Sequence, residues 1–378
     1  MKAYILHDKV AGALFGQALG DAMGMPAELW GKKKARHYFG GLITEMLEGP
    51  ADNDVAAYYA KGQFTDDTAQ ALILLDSLQA THFVPNPKDI AARLLAWAEK
   101  ENAFEKNLLG PTSKVALAAF REGKNAKVFT DQALSNGSAM RIAPLGACFL
   151  PQNPQKLVDY VYAVTEATHT SDVAIAGAAM IAMGVASAIV HDDFDLVLQD
   201  VLAVEPLGYA KGAETFSARL RERTALGVEL ARTYRAQYVQ AEENRRLAMR
   251  TSSKSAVEKQ KNWSKIPSIV HRNRSIDEAF LQKIYDIVGT GVQIIESVPA
   301  AISLAYYAQD PNVCSYLCAN LGGDTDTIGA MATAICGAFT GLSQFNPAWR
   351  ALLCTQNDID FDAYVNILLA GRQLLAST

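Results

Sequence analysis

At 378 residues, half of them hydrophobic, the chain can bury a sizeable core as one large domain or two modest ones. A fifth of it is charged and the formal net charge is −5, which argues against a general nucleic-acid binder. Five scattered cysteines, an odd number, exclude a closed disulfide framework and read as reduced thiols of a cytoplasmic protein.

In residues 1–19, Lys2, His7, Asp8, Lys9 and Gln17 interrupt any apolar run, so no secretory signal is expected. A helix is predicted over residues 10–21. Its small residues, Gly16 and Gly20 among them, would let another helix or a ligand come close. Pro26 should end it and leave Glu28 in the following loop. Helical periodicity returns over residues 67–80, 90–100, 114–120, 158–167, 173–190 and 328–339, with alanine abundant throughout. Turns at Gly40-Gly41, Pro85-Asn86-Pro87, Gly110-Pro111, Gly123-Lys124-Asn125, residues 151–154 and Gly322-Gly323 separate the elements. Residues 173–190 have the length of a membrane span but are rich in alanine and glycine. They read as a packed core helix, and no membrane contact is expected. Cys314 and Cys318 share one face of a further helix. β-branched alternation is almost absent, so the expected fold is all-α, an orthogonal multi-helix bundle forming a single domain over residues 1–378.

Residues 219–274 depart in composition, with 14 Lys/Arg against 5 Asp/Glu, leaving the rest of the chain at −14. From 214 to about 250 the pattern is a long charged helix, and 251–275 reads as a polar loop. The stretch 214–275 is expected to be an insertion: either a solvated helix face with its loop, or a lid whose basic rim attracts phosphate-bearing substrates.

Two acidic clusters carry the chemistry. Thr65-Asp66-Asp67 opens the apolar helix at 67–80, with Thr65 as its N-cap, and Asp324-Thr325-Asp326-Thr327 opens the helix at 328–339. Both helices are so apolar that their first turns should lie at the core edge, where paired carboxylates repel and lose hydration. No Lys or Arg stands within a few residues of either, so a divalent cation is the natural counter-charge. Carboxylates and threonine hydroxyls are hard oxygen donors, which favours Mg²⁺ or Mn²⁺ over Zn²⁺. So many carboxylates suit two ions, roughly 3.5–4 Å apart. Glu28, at a helix exit, could join them and serve as base. Ser135-Asn136-Gly137-Ser138-Ala139-Met140-Arg141 is a small-residue turn whose backbone N–H groups could bind phosphate. His169 lies just before the helix at 173–190, which Ser171 or Asp172 would cap.

These segments, with Gly20-Asp21-Ala22-Met23-Gly24-Met25-Pro26-Ala27-Glu28 and Thr168-His169-Thr170, make the chain resemble the ADP-ribosylglycohydrolase family in this order over residues 10–200 and 285–345. The resemblance implies an all-α fold, two Mg²⁺ or Mn²⁺ ions, and hydrolysis of the N- or O-glycosidic bond at the distal ribose of ADP-ribose by water attack at the anomeric carbon. It implies that Thr65, Asp66 and Asp67 hold the metals from one side, and Asp324, Asp326 and Thr327 from the other. Glu28, Asp66, Asp67 and Asp324 would be catalytic; Asn136, Gly137, Ser138 and Met140 would hold the diphosphate, and His169 would lie beside the ribose. Some bacterial members carry an acid three residues before the Asn-Gly step; here that position is Ala133, and Asp131 is the nearest acid. The expected partner is ADP-ribose or an ADP-ribosylated protein, arginine-linked by preference, with no direct nucleic-acid binding. Two other readings stand: an N-glycosidase of small nucleosides or ADP-ribosyl conjugates, and an immunity or binding protein against an ADP-ribosylating toxin.

Overall fold

The computed structural model describes residues 2–252 and 272–376. Among these residues the regular structure is helical, apart from three isolated bridges. The first helix, α1 (Ala3–Gly24), is longer than predicted at both ends. There follow α2 (Lys32–Tyr38), α3 (Asp66–Ala80), α4 (Pro87–Lys100), α5 (Pro111–Arg121), α6 (Lys127–Thr130), α7 (Gly137–Met140), α8 (Pro154–Thr165), α9 (Asp172–Val190), α10 (Phe194–Lys211) and α11 (Leu220–Ser252). The chain closes with α12 (Arg274–Lys283), α13 (Ile294–Ala308), α14 (Pro311–Ala319), α15 (Thr325–Thr340), α16 (Pro347–Gln356) and α17 (Phe361–Ala376).

The expected cap at Ser171 is present, and the turn at Asn86 supplies another. Asn86 accepts hydrogen bonds from the Lys88 and Asp89 N–H groups ahead of α4, and Ser171 accepts from the Ala174 N–H ahead of α9. Helix α9 is buried along almost its whole length between α10, α8 and α13, as its apolar composition requires. It is long and apolar enough to cross a membrane, and 94% of its apolar window is buried inside the protein.

The most extensive packing is between α1 and α15, which run antiparallel. Glycines recur every fourth residue on one face of α1. A methyl added at Gly12 would come within 2.1 Å of the Gly337 carbonyl oxygen, at Gly20 within 2.0 Å of that of Gly329, and at Gly24 within 2.3 Å of that of Thr325. Backbone therefore lies against backbone, and the C-terminal end of α1 is pressed onto the N-terminal end of α15.

The charged segment is helical from Leu220, six residues later than predicted, and its N-terminal half is two-faced, with Arg221, Glu222, Glu229 and Thr233 exposed on one side. Leu220, Val228 and Ala231 are buried, and α11 packs on α13. Its basic side chains serve as clamps. Arg219 makes a two-pronged bond to buried Glu205, Arg221 donates to the Leu202 carbonyl, Arg223 to that of Ile295, Arg232 to Asp195 and Tyr306, and Arg235 to the Tyr307 carbonyl and Gln309. Most of the predicted loop at 251–275 lies outside the described residues.

Candidate metal centre and cleft

The α1–α15 contact decides where the acidic groups meet. The chain leaves α1 through the short turn Met25–Ala27, with Pro26 inside it, and delivers Glu28 into a loop as the sequence suggested. That loop is zipped to the segment before α15. Leu29 N–H donates to the Gly323 carbonyl, and Trp30 and Gly323 form an antiparallel bridge in which the Gly323 N–H donates to the Trp30 carbonyl; on its other side that segment is held where the Asp324 N–H donates to the Thr290 carbonyl. Gly322 and Gly323 both have positive φ, which glycine alone adopts without strain. Asn53 donates to the Glu28 carbonyl and holds the loop from the other side.

Glu28, Thr65, Asp66, Asp67, Asp324 and Thr327 border one cleft of ≈ 410 Å³. Asp326 lies beneath, almost fully buried. Carboxylate oxygens of Glu28, Asp324 and Asp326 fall within 4.8 Å of one another, as do those of Asp21, Asp67 and Asp326. Asp67 Oδ1 and Asp326 Oδ1 are buried with no hydrogen-bond partner. Arg141, reaching Asp66 through Gln70, stands behind the six acids, and Lys114 stands at the cleft rim with its ammonium on the Phe104 carbonyl. That is too little positive charge for so many buried carboxylates. Two of them also keep orphaned oxygens, so the all-oxygen donor set fits hard divalent cations. The first helical turns of α3 and α15 do meet, as the shared-ion reading requires.

Without such ions the carboxyls resist ionisation. Burial, reinforced by Asp21 and Asp324, pushes the Asp66 carboxyl up to about 8. Burial likewise raises Asp324 to about 6, where bonds from Asn136 and Thr327 limit the rise. Burial and the neighbouring acids drive Glu28, Asp67 and Asp326 well above the carboxylate range. These pKa values are higher in the folded than in the unfolded chain, so the folded apoprotein holds extra protons from about pH 4 upward. The associated stability is complete below that range and drains away as pH rises through 6 to 8. A cation replaces those protons, so the rise in melting temperature on adding Mn²⁺ to EDTA-treated protein should grow from pH 5 to pH 8. Scanning calorimetry at the two pH values checks this, and a shift that shrinks with pH would contradict it.

The other predicted residues divide into two sets. Asn136, Gly137 and Met140 border the cleft, and the Asn136 amide donates to Asp324 Oδ2 at 2.5 Å, linking the small-residue turn to the acidic centre. Ser138 and His169 stand behind the wall. Ser138 donates to the Ala174 carbonyl. The His169 ring lies under Gly137, with Nε2 3.2 Å from Ser135 Oγ and Nδ1 2.8 Å from Thr168 Oγ1. Burial first, then Arg141, holds it neutral. Asp131 is bound to Lys127 and Thr170 and does not border the cleft; Ala133 is buried. No residue of the described part of 214–275 lines the cleft.

Sequence reasoning passed over three groups. Asp21 accepts bonds from both Thr65 and Thr68. The Thr65 hydroxyl, expected to cap its own helix, instead lies 2.9 Å from Asp21 Oδ1 and 3.2 Å from Asp67 Oδ2, and its one proton goes to the nearer oxygen, that of Asp21. Tyr59 borders the cleft near Asp66 and Glu28, and its burial there keeps the phenol protonated. Gln70 and Arg141 brace Asp66. The lone acid in the Gly20-Asp21-Ala22 stretch could have flagged Asp21; nothing local marks Tyr59.

The family model described as ADP-ribosylglycohydrolase matches residues 2–376. The chain is 39% identical over 368 residues to the uncharacterized protein YegU of Escherichia coli K12, covering 97% of this chain and 98% of that one. It is 26% identical to chicken (Gallus gallus) ADP-ribosylhydrolase ARH3, covering 90% of this chain and 87% of the relative. A solved structure titled ADP-ribosylglycohydrolase-related protein complex superimposes with a TM-score of 0.63 at 20% identity, over 98% of this chain and 99% of the other, which supports the fold alone.

Proposed function

The chain belongs to the ADP-ribosylglycohydrolase family, a family of metal-dependent hydrolases, and from that premise we propose that it removes ADP-ribose from a modified acceptor with two Mg²⁺ or Mn²⁺ ions held between α3 and α15. The observation that carries this is the meeting of Asp66, Asp67, Asp324 and Asp326 around orphaned carboxylate oxygens on one cleft. Thr65, Asp66 and Asp67 would hold the ions from one side, and Asp324, Asp326 and Thr327 from the other. Bound ions would supply Lewis acidity, a template for the distal ribose hydroxyls, and a lowered pKa for water in the cleft.

The chain's own residues do the rest. Glu28 stands at the cleft with its carboxyl beside Asp324 and Asp326, and, once ionised, would be the group to take a proton from the attacking water. Asn136, Gly137 and Met140 form the wall along which the diphosphate lies, and Lys114 supplies positive charge at the rim. Ser138 and His169 act at one remove, keeping that wall in place. Tyr59 offers a neutral donor to the ribose or the leaving group. Cleavage passes through an oxocarbenium-like transition state, which the surrounding carboxylates favour. The free cysteines fit an enzyme working in the cytoplasm.

The proposed acceptor is an arginine-linked ADP-ribosylated protein. Product analysis with arginine- and serine-linked ADP-ribosyl peptides, with and without EDTA, tests it. Release of ADP-ribose from the arginine peptide, abolished by EDTA, is expected. Release from the serine peptide alone overturns the acceptor; EDTA-insensitive release overturns the metal role.

A further inference from the structure

We propose that Asp21 is a positioning residue for the metal-binding face of α3, setting Thr65, Asp66 and Asp67 against the ions without ligating them itself. The proposal rests on the two-ion reading above and extends it to a residue that borders neither the cleft nor the solvent.

The hydrogen bonds assign the role. Asp21 Oδ1 accepts from the Thr65 N–H at 2.9 Å and from the Thr65 hydroxyl at 2.9 Å. Its Oδ2 accepts from the Thr68 N–H at 3.0 Å and from the Thr68 hydroxyl at 2.6 Å. Four donors occupy the carboxylate's four lone-pair directions, which leaves none directed at an ion. Two of the donors are N–H groups at the start of α3, which have no partner inside their own helix. Asp21 thus caps α3 from another helix, 44 residues away in sequence.

The bond to the Thr65 hydroxyl has a second consequence. A hydroxyl can bind a cation only through its oxygen, so its proton must be accommodated elsewhere. With Asp21 taking that proton, the Thr65 oxygen is free to face the cleft that Thr65 borders.

The same turn of α1 is fixed from behind. Gly20 and Gly24 touch the backbone of Gly329, Thr325 and Asp326, and Gly24 accepts from the Thr325 hydroxyl at 2.8 Å. Asp21 therefore ties the first acidic cluster to the helix that is locked against the second. Small movements of α3 relative to α15 change the spacing of Asp67 and Asp326, and Asp21 removes that freedom.

The test is Mn²⁺ titration of the full chain, reading free Mn²⁺ by electron paramagnetic resonance, with the melting temperature in EDTA as the check on folding. No ADP-ribosyl substrate is present, so this result is separable from the acceptor assignment. For folded Asp21→Asn, whose amide turns two donors toward donors, Mn²⁺ affinity should fall 10- to 100-fold at unchanged stoichiometry, the range found when groups supporting metal ligands are altered. Thr68→Val removes one donor without touching any proposed ligand. It should weaken Mn²⁺ binding several-fold, and Thr68→Ser should restore it. If Asp21→Asn does not fold, the Thr68 pair decides. Wild-type affinity in folded Asp21→Asn, or in Thr68→Val, overturns the proposal. So does the loss of one bound ion in Asp21→Asn with the other unaffected, which would make Asp21 a ligand.

Discussion

Asp326→Asn is expected to lower ADP-ribosyl hydrolysis by at least about a thousandfold, ~4 kcal/mol of transition-state stabilisation, while raising the melting temperature of the protein in EDTA. The two effects share one cause. Asp326 is buried, its Oδ1 lacks a partner, and its neighbours include Glu28, Asp324 and Asp21. Without ions this arrangement is costly, because like charges are gathered where water cannot screen them. Asparagine has nearly the same shape, leaves no cavity, and can donate its amide to the adjacent carboxylates. The apoprotein therefore gains stability as the ion site loses a charged ligand. A residue kept only for packing would show neither effect. Activity within tenfold of wild type, or a lower melting temperature in EDTA, would contradict the assignment. Turnover on an ADP-ribosylated peptide and calorimetry on the same preparation decide it.

Gly20→Ala is expected to destabilise the fold strongly although it adds a single methyl group. The new methyl carbon would lie 2.0 Å from the Gly329 carbonyl oxygen and 2.2 Å from its carbonyl carbon, so backbone must move. Overpacking a core commonly costs about 1–3 kcal/mol, and this contact, made by main chain with no rotamer to change, belongs at or above the top of that range. The displacement also spreads α1 from α15 one residue before Asp21. Gly20→Ala should therefore weaken Mn²⁺ binding as well as lowering the melting temperature by several degrees. Gly12→Ala supplies the comparison: its clash is with Gly337, two turns of helix further from the acids, and it should destabilise while disturbing Mn²⁺ affinity less. Equal melting temperatures for wild type and Gly20→Ala would contradict the close contact.

Much of this was legible in the sequence, because its signals are local. Long apolar periods marked α3, α4, α9 and α15, and acids at the starts of two helices with little other charge marked the candidate metal centre. What could not be read were the pairings. Gly12, Gly16, Gly20 and Gly24 announce close approach but not to which helix, and Asp21 finds its donors 44 residues on. Helices α10 and α13 contain Pro206 and Pro299, which read as breaks in isolation and are tolerated once both helices are packed. The basic stretch was recognised as a helix, but where its arginines would be spent depended on carbonyls and acids of α10, α13 and the loops beside them. His169 and Ser138 stood within site-like motifs, yet their side chains support the wall and do not border the cleft.

On the proposed reading, two acidic helix starts about 260 residues apart in sequence share their ions. Diffraction from crystals grown with Mn²⁺, recorded at the manganese absorption edge, tests it most directly. Anomalous density is expected between the carboxylates of Asp66 and Asp67 on α3 and those of Asp324 and Asp326 on α15. Density held by one cluster alone, or none in the cleft at saturating Mn²⁺, would contradict it.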